Sequence, residues 1–308
     1  MGRDSRSRGK SLTQVVSRFA PSPTGRLHLG HAWSALVAHD FARTRGGRFL
    51  LRIEDIDPGR TREEFVAGIE EDLAWLGLSW DGEVVRQSRR LALYSEALER
   101  LKARGLVYPC FCTRSAIAAE IAASAAAPHG PDGPFYPGTC RRLSEEERAA
   151  RRAEPHAWRL DVAGAAAEAG PLAWRDGGAE IRAAPETFGD VVLARKDAPV
   201  SYHLAVTVDD AAQGVTDVVR GRDLFAATHV HRLLQALLDL PTLIYHHHAL
   251  LTDAAGNRLA KRHGAPTLLS LREAGADARA LVAALRSGKV PAGYALPTSD
   301  QRVESRPA

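Results

Sequence analysis

Two histidines stand three residues apart in His28-Leu29-Gly30-His31, directly after Arg18-Phe19-Ala20-Pro21-Ser22-Pro23-Thr24-Gly25-Arg26-Leu27. The run Val15–Ala20 is apolar and strand-like, and beyond His31 the residues Trp33, Leu36, Val37 and Phe41 recur at helical spacing. Strand, tight loop and helix in that order point helix N–H groups and the positive dipole end into the loop, an arrangement suited to phosphate. Gly30 admits a ligand close to the backbone, and His28 and His31 can donate to phosphate oxygens. A second group is Cys110-Phe111-Cys112 with Tyr136-Pro137-Gly138-Thr139-Cys140. Three cysteines in a long chain argue against a disulfide framework and leave a metal site or buried thiols. Zinc takes about four ligands and favours thiolates. A third group is the basic loop Asn257–His263. The triple His246-His247-His248 falls in a strand-like run, where neighbours face opposite sides and cannot share one ion.

These groups need elements to hold them. A chain of 308 residues exceeds one small core. Its 45% hydrophobic and 25% charged content is ordinary for a globular protein. No apolar run nears the roughly 18 residues of a membrane span, and MGRDSRSRGK has no secretory h-region, so a cytoplasmic location is expected. A net charge of +4 is compatible with nucleic acid. Arg48–Asp55 is expected as a buried parallel strand. Thr61-Arg62-Glu63-Glu64 has the form of a capping box opening a helix that buries Phe65, Ile69, Leu73 and Leu76. Leu91, Tyr94, Leu98 and Leu101 mark another helix. Further on, Ser144–Glu147 starts a helix, His156–Val162 is strand-like and Ala163–Gly178 is loop or weak helix. Val200, Tyr202, Leu204, Val206 and Val208 alternate as in a strand. Val215–Val219 and Tyr245–Leu251 are expected strands, and Val230–Leu238 and Ala278–Leu285 helices. The fold class expected is α/β, a Rossmann-like doubly wound parallel sheet with an inserted α+β subdomain and a short C-terminal helical region. The division is a flexible tail 1–14, catalytic halves 15–106 and 188–250, an insertion 107–187, a loop and helical region 251–286, and a flexible tail 287–308.

Arg18–His31 resembles the ATP-binding signature of class I aminoacyl-tRNA synthetases in its glutamyl-tRNA synthetase form, with Leu29 in place of Ile. The resemblance implies that His28, Gly30 and His31 hold ATP, with Mg2+ bridging its phosphates. The basic loop resembles the family's Lys-Met-Ser-Lys-Ser loop. Arg258 replaces its first Lys, Ala260 its Ser, and Lys261 keeps the second Lys, where a cation neutralises the leaving pyrophosphate. Arg258 supplies charge without ammonium geometry. Arg18, Phe19, Ala20, Pro21, Ser22, Glu54, Tyr202 and Arg220 match the family's amino-acid pocket. Arg18 would grip the glutamate side-chain carboxylate and Glu54 its ammonium. Taken singly, they read as an Arg–Glu pair, a core Tyr and a surface cap. Cys110, Cys112, Tyr136 and Cys140 resemble the zinc-binding insertion of glutamyl-queuosine tRNA(Asp) synthetases, shortened paralogues of glutamyl-tRNA synthetase. His129 competes with Tyr136 as fourth ligand of one structural zinc.

The resemblance spans Val15 to Leu285, and no anticodon-reading helical domain follows it. It implies an ATP-dependent, AMP-forming ligase that activates L-glutamate and transfers it to queuosine in the anticodon loop of tRNA(Asp), as a monomer and without a membrane. Arg141, Arg142, Arg151 and Arg152 either touch RNA phosphates or form a solvated helix face. Two alternatives stay open: a truncated ordinary glutamyl-tRNA synthetase charging a 3′ end, and a non-catalytic ATP-, glutamate- or RNA-binding paralogue.

Overall fold

A computed structural model describes residues 14–123, 129–130, 133–253, 266–290 and 293–296. The chain opens with β1 (Val16–Phe19), α1 (Leu29–Arg43), β2 (Arg48–Ile53), α2 (Glu63–Trp75), β3 (Val85–Arg86) and α3 (Leu91–Ala103). Next come β4 (Val107–Cys110), α4 (Arg114–Ala123), β5 (His129–Gly130), β6 (Gly133–Pro134), α5 (Glu145–Ala150), β7 (Ala157–Leu160), α6 (Val162–Ala169), β8 (Ala173–Asp176) and β9 (Ala179–Arg182). The rest is β10 (Val192–Ala194), α7 (Tyr202–Ala212), β11 (Asp217–Gly221), α8 (Ala227–Leu237), β12 (Ile244–His248), β13 (Thr252–Asp253), α9 (Leu268–Glu273), α10 (Ala278–Arg286) and β14 (Tyr294–Ala295).

β1, β2 and β3 pair in parallel, as do β11, β12 and β8, with β9 antiparallel at the edge. The Thr216 N–H donates to the Val16 carbonyl at 2.9 Å, which sets β11 beside β1. Such parallel strands need helical crossovers, and α1 supplies one, burying Ala32, Ala35 and Leu36 with Phe49 and Leu51 of β2. A second, antiparallel sheet has the order β10–β7–β4. Its pairing crosses the expected division at 187/188 in both directions. β10 joins the sheet of β4 and β7, whereas the β8–β9 hairpin joins β12.

Three expectations of local structure are corrected. Val200–Val208 is not a strand: α7 runs through it, with Ser201 as N-cap. Every residue from Leu204 to Asp210 is buried, so polar positions hide as deeply as apolar ones and the alternation carries no face information. Thr61 does not cap α2. The N-cap is Arg62, and no side chain bonds the first turn. Ala163–Gly178, expected as loop or weak helix, is helical in its first part, α6, capped by the Asp161 side chain on the Gly164 N–H, but its second part forms the strand β8. The Ser144 capping box of α5 is present with both of its bonds.

Asp72 of α2 is wholly buried, and among the described residues neither carboxylate oxygen has a hydrogen-bond partner. Burial pushes its carboxyl up to about 6.

Candidate active site and metal centre

The ends of β1, β2 and β11 open into a cavity of about 380 Å³, where open α/β sheets hold ligands. Arg18, Phe19, Ala20 and Ser22 line it from the end of β1 and the loop after it, and His28, Gly30 and His31 from the start of α1. Glu54 lines it after β2, Tyr202 at the start of α7, and Arg220 in β11. Pro21 stands behind the wall, where its carbonyl accepts the Glu54 N–H at 3.0 Å. Arg258 and Lys261 lie outside the described residues. Gly221 has no room for a side chain: a Cβ there would meet Asp223 Oδ1 at 2.5 Å and Leu250 Cδ2 at 2.6 Å.

His28 and His31 cap α1 reciprocally. His28 Nδ1 accepts the Gly30 N–H and His31 Nδ1 accepts the His28 N–H, each at 3.1 Å, with ring centroids 3.8 Å apart. Because both Nδ1 atoms accept, each neutral ring carries its proton on Nε2.

At the other end, the Arg18 fork is already engaged: Nε and Nη2 reach the Asp210 carboxylate at 3.0 and 3.2 Å. Arg52, fully buried, donates to Asp210 at 2.7 Å and to Glu54 at 3.4 Å. Arg90 and the Tyr94 hydroxyl donate to Asp209 at 2.7 Å. Burial pushes the Glu54 carboxyl up against the pull of Arg52 and Arg18. For Asp210 burial also acts upward, but the two guanidiniums win and hold it below the usual range.

Arg220 is 5% exposed. It donates to Thr228 Oγ1 at 2.7 Å, the Leu224 carbonyl at 3.0 Å, His247 Nε2 at 3.2 Å and Tyr202 Oη at 3.4 Å, and lies 3.3 Å from His231 Nδ1. Burial, then the Arg220 charge, drives His247 down to about 4 and His231 well below its ordinary range. These partners are neutral near pH 7, and among the described residues no carboxylate pairs with Arg220. The three adjacent histidines have separate partners: His246 meets Asp217, His247 meets Asp176 and Arg220, and His248 meets the Ala249 carbonyl.

The Sγ atoms of Cys110, Cys112 and Cys140 lie within 4.8 Å of one another and could hold a metal ion. Tyr136 Oη is 3.5 Å from both Cys110 and Cys112 and accepts the Cys140 N–H at 2.9 Å. N–H groups of Arg159 and Phe111 point at Cys110 and Cys140 sulfurs at 3.3 and 3.4 Å, the support that metal-bound thiolates use. Burial pushes the Cys112 thiol up to about 11, whereas the hydrogen bonds at Cys140 outweigh burial and lower it. The side chain of His129 lies outside the described part. Lys196 Nζ donates to the Phe111 carbonyl at 2.7 Å, tying this knuckle to the chain leading into α7.

The sequence reading missed Arg52, Asp209 and Asp210. A buried Asp pair outside any motif gives no periodic signal, and a strand ending at Val208 leaves both outside the element that holds them, α7.

Residues 14–293 match the family described as tRNA synthetases class I (E and Q), catalytic domain. Glutamyl-Q tRNA(Asp) synthetase of Rhodobacter capsulatus is 54% identical over 275 residues, 85% of this chain and 96% of that protein. The protein of the same name from Symbiobacterium thermophilum is 46% identical over 283 residues, 87% of this chain and 84% of that one. Among solved structures, a glutamate tRNA ligase from Elizabethkingia meningosepticum in complex with its amino acid aligns with a TM-score of 0.67 at 29% identity. That alignment covers 82% of this chain, which spans about half of that ligase (52%). No helix of the described residues is long and apolar enough to cross a membrane. With its parallel α/β sheet, its paired signature histidines and these relatives, the chain belongs to the glutamyl-Q tRNA(Asp) synthetase family of the class I tRNA synthetases.

Proposed function

We propose that this chain activates L-glutamate with ATP and transfers the glutamyl group to queuosine of tRNA(Asp). The observation that carries the reading is one cavity with two histidines at one end and, at the other, a buried guanidinium that no carboxylate among the described residues pairs with. The names of the relatives supply the acceptor.

In activation, an α-carboxylate oxygen of glutamate attacks the α-phosphorus of ATP, and the bond to pyrophosphate breaks. Mg2+ accompanies ATP and neutralises phosphate charge. The Nε2–H groups of His28 and His31 donate to the phosphates as charge builds, with Gly30 allowing close approach. Lys261 and Arg258 supply cations to the departing pyrophosphate. Glu54 receives the substrate ammonium. Arg18, held by Asp210 through Nε and Nη2, offers Nη1 to the side-chain carboxylate, and Arg220 takes it in exchange for one of its neutral partners. Phe19, Ala20, Ser22 and Tyr202 complete the wall, with Pro21 behind it. A neutral side-chain amide in place of the carboxylate leaves Arg220 without a counter-charge, which disfavours glutamine.

Zinc fits the cysteine cluster, held by Cys110, Cys112 and Cys140 with Tyr136 as fourth ligand, and its contribution there is structural. The insertion around it is the acceptor-binding lobe, and the protein works as a cytoplasmic monomer.

The test uses two forms of tRNA(Asp) with labelled glutamate: one carrying queuosine but trimmed of its 3′ adenosine, the other carrying guanosine at the wobble position with an intact 3′ end. The first accepts glutamate and the second does not. The reverse pattern means ordinary 3′ charging. No glutamate-dependent ATP–pyrophosphate exchange at all means a non-catalytic paralogue.

A further inference from the structure

Each N–H of the Arg220 guanidinium has an acceptor. Nη2 donates to the Leu224 carbonyl and Thr228 Oγ1, Nη1 to Tyr202 Oη and His231 Nδ1, and Nε to His247 Nε2. A carbonyl or a hydroxyl always keeps a lone pair for such a donor. A neutral imidazole keeps one only in the right tautomer, and in the other its N–H is aimed at the guanidinium and both donors lose their partner. What lies behind each ring therefore matters. His247 stands opposite Arg220 in the β11–β12 register, and its Nδ1 lies 3.1 Å from Asp176 Oδ1 at the end of β8. An ionised carboxylate only accepts, so the proton sits on Nδ1 and Nε2 presents its lone pair to Arg220. The same Oδ1 accepts the His247 backbone N–H at 3.1 Å. His231, in α8, has its Nε2 3.2 Å from Nδ1 of His203, in the first turn of α7. With Nδ1 turned to Arg220, His231 donates from Nε2, and His203 accepts and carries its own proton on Nε2. The His247 side chain is wholly buried and His231 is 2% exposed, so bulk water offers neither ring another partner. Burial, then the Arg220 charge, drives His203 as well as His247 down to about 4 and His231 well below its ordinary range, which keeps the rings neutral near pH 7.

We infer that His231 and His247 are positioning residues for glutamate recognition, with His203 and Asp176 behind them fixing which ring nitrogen faces Arg220. The proposal rests on the reading of Arg220 as the anchor of the substrate side chain. The two rings hold Nη1 and Nε in place and, being neutral, leave the guanidinium charge for the substrate. The entering carboxylate exchanges with Tyr202 Oη, which lines the main cavity and makes the longest of these bonds, 3.4 Å. The carboxylate then supplies the counter-charge, and a side-chain amide supplies none. Asp176 arrives through the pairing of β8 with β12, so the stretch expected as an insertion contributes to the amino-acid end of the site.

Paired substitutions in the full chain test this by glutamate-dependent ATP–pyrophosphate exchange. His231→Asn places an amide oxygen near the Nδ1 position, whereas His231→Leu leaves Arg220 one acceptor short. Asp176→Asn keeps an oxygen for His247 Nδ1, whereas Asp176→Ala removes it. In His231→Leu and Asp176→Ala the KM for glutamate rises about tenfold or more, the preference for glutamate over glutamine in kcat/KM falls, and the KM for ATP stays within about twofold. Both Asn variants keep the glutamate KM within about threefold of wild type. Equal glutamate KM values within each pair overturn the assignment. So does a rise of both KM values together with a lower melting temperature, which makes the rings structural. If His231→Leu does not fold, the Asp176 pair and the 15N shifts of the wild-type rings decide. His247 carries its proton on Nδ1 and His203 and His231 on Nε2, and any other set of tautomers overturns the inference. If the wild type shows no glutamate-dependent exchange, or prefers glutamine, the underlying reading fails, and that is seen without any variant.

Discussion

Tyr202, Thr228, His231, His247 and the Leu224 carbonyl surround Arg220 with dipoles but no counter-charge. A buried guanidinium in that setting gains by exchanging a neutral acceptor for a carboxylate, whose charge it then balances. Arg220→Lys keeps the charge and loses the fork. We expect KM for glutamate to rise on the order of a hundredfold, about 3 kcal/mol, with the KM for ATP little changed, as read by pyrophosphate exchange. Asp72 offers a different residue-scale outcome. An unfolded Asp titrates near 3.9, and burial lifts the folded carboxyl to about 6. The folded state therefore binds the proton more tightly: stability rises as pH falls from above 6 towards 4, and the ionised carboxylate is a cost above 6. Asp72→Asn should raise stability by roughly 1–2 kcal/mol at pH 8 and bring no gain at pH 4, by denaturant titration. The histidine pair, Glu54 and Arg220 were legible in the sequence because each sits in a short local pattern. Asp210 was not, because its meaning comes from Arg18 and Arg52, far away in the chain.

At the scale of elements, the same contrast recurs. α1 and α8 announce themselves by one apolar stripe each, and β2 by an apolar run, Phe49–Ile53, broken only by Arg52 and buried on both faces. α7 does not, since burial on every side erases the period that separates helix from strand. The cysteine knuckle was legible as a set of ligand types, but its bond to Lys196 was not. A metal ion bound there would brace β4, whose Tyr108–Cys110 pair with Ala157–Arg159 of β7. Chelation should speed hydrogen exchange at Tyr108 and Cys110 while leaving Leu50 and Leu51 of the parallel sheet protected. Metal analysis should find one zinc in the wild type and none in Cys140→Ser; zinc content that the substitution leaves unchanged removes Cys140 from the ligand set.

For the whole molecule, the net charge of +4 bears on RNA and not on the amino acid. Phosphate contacts release counterions, so binding of tRNA weakens steeply with salt. Raising KCl from about 50 to 200 mM should weaken tRNA binding roughly tenfold or more, while KM for glutamate in pyrophosphate exchange, set by buried groups, shifts little. The ion pairs behind the pocket have a consequence for how the chain acquires it. Arg18 and Asp210 are 192 residues apart, and Arg52 and Asp210 are 158 apart. Bringing such distant segments together carries a large loop-closure entropy, and contacts of this separation form late in folding. Local helices and the β1–β2 unit can order first, but the amino-acid pocket exists only once both halves of the sequence have met around the intervening insertion. Glutamate thus has nothing to bind on a partly folded chain, and its binding energy is delivered wholly to the finished state.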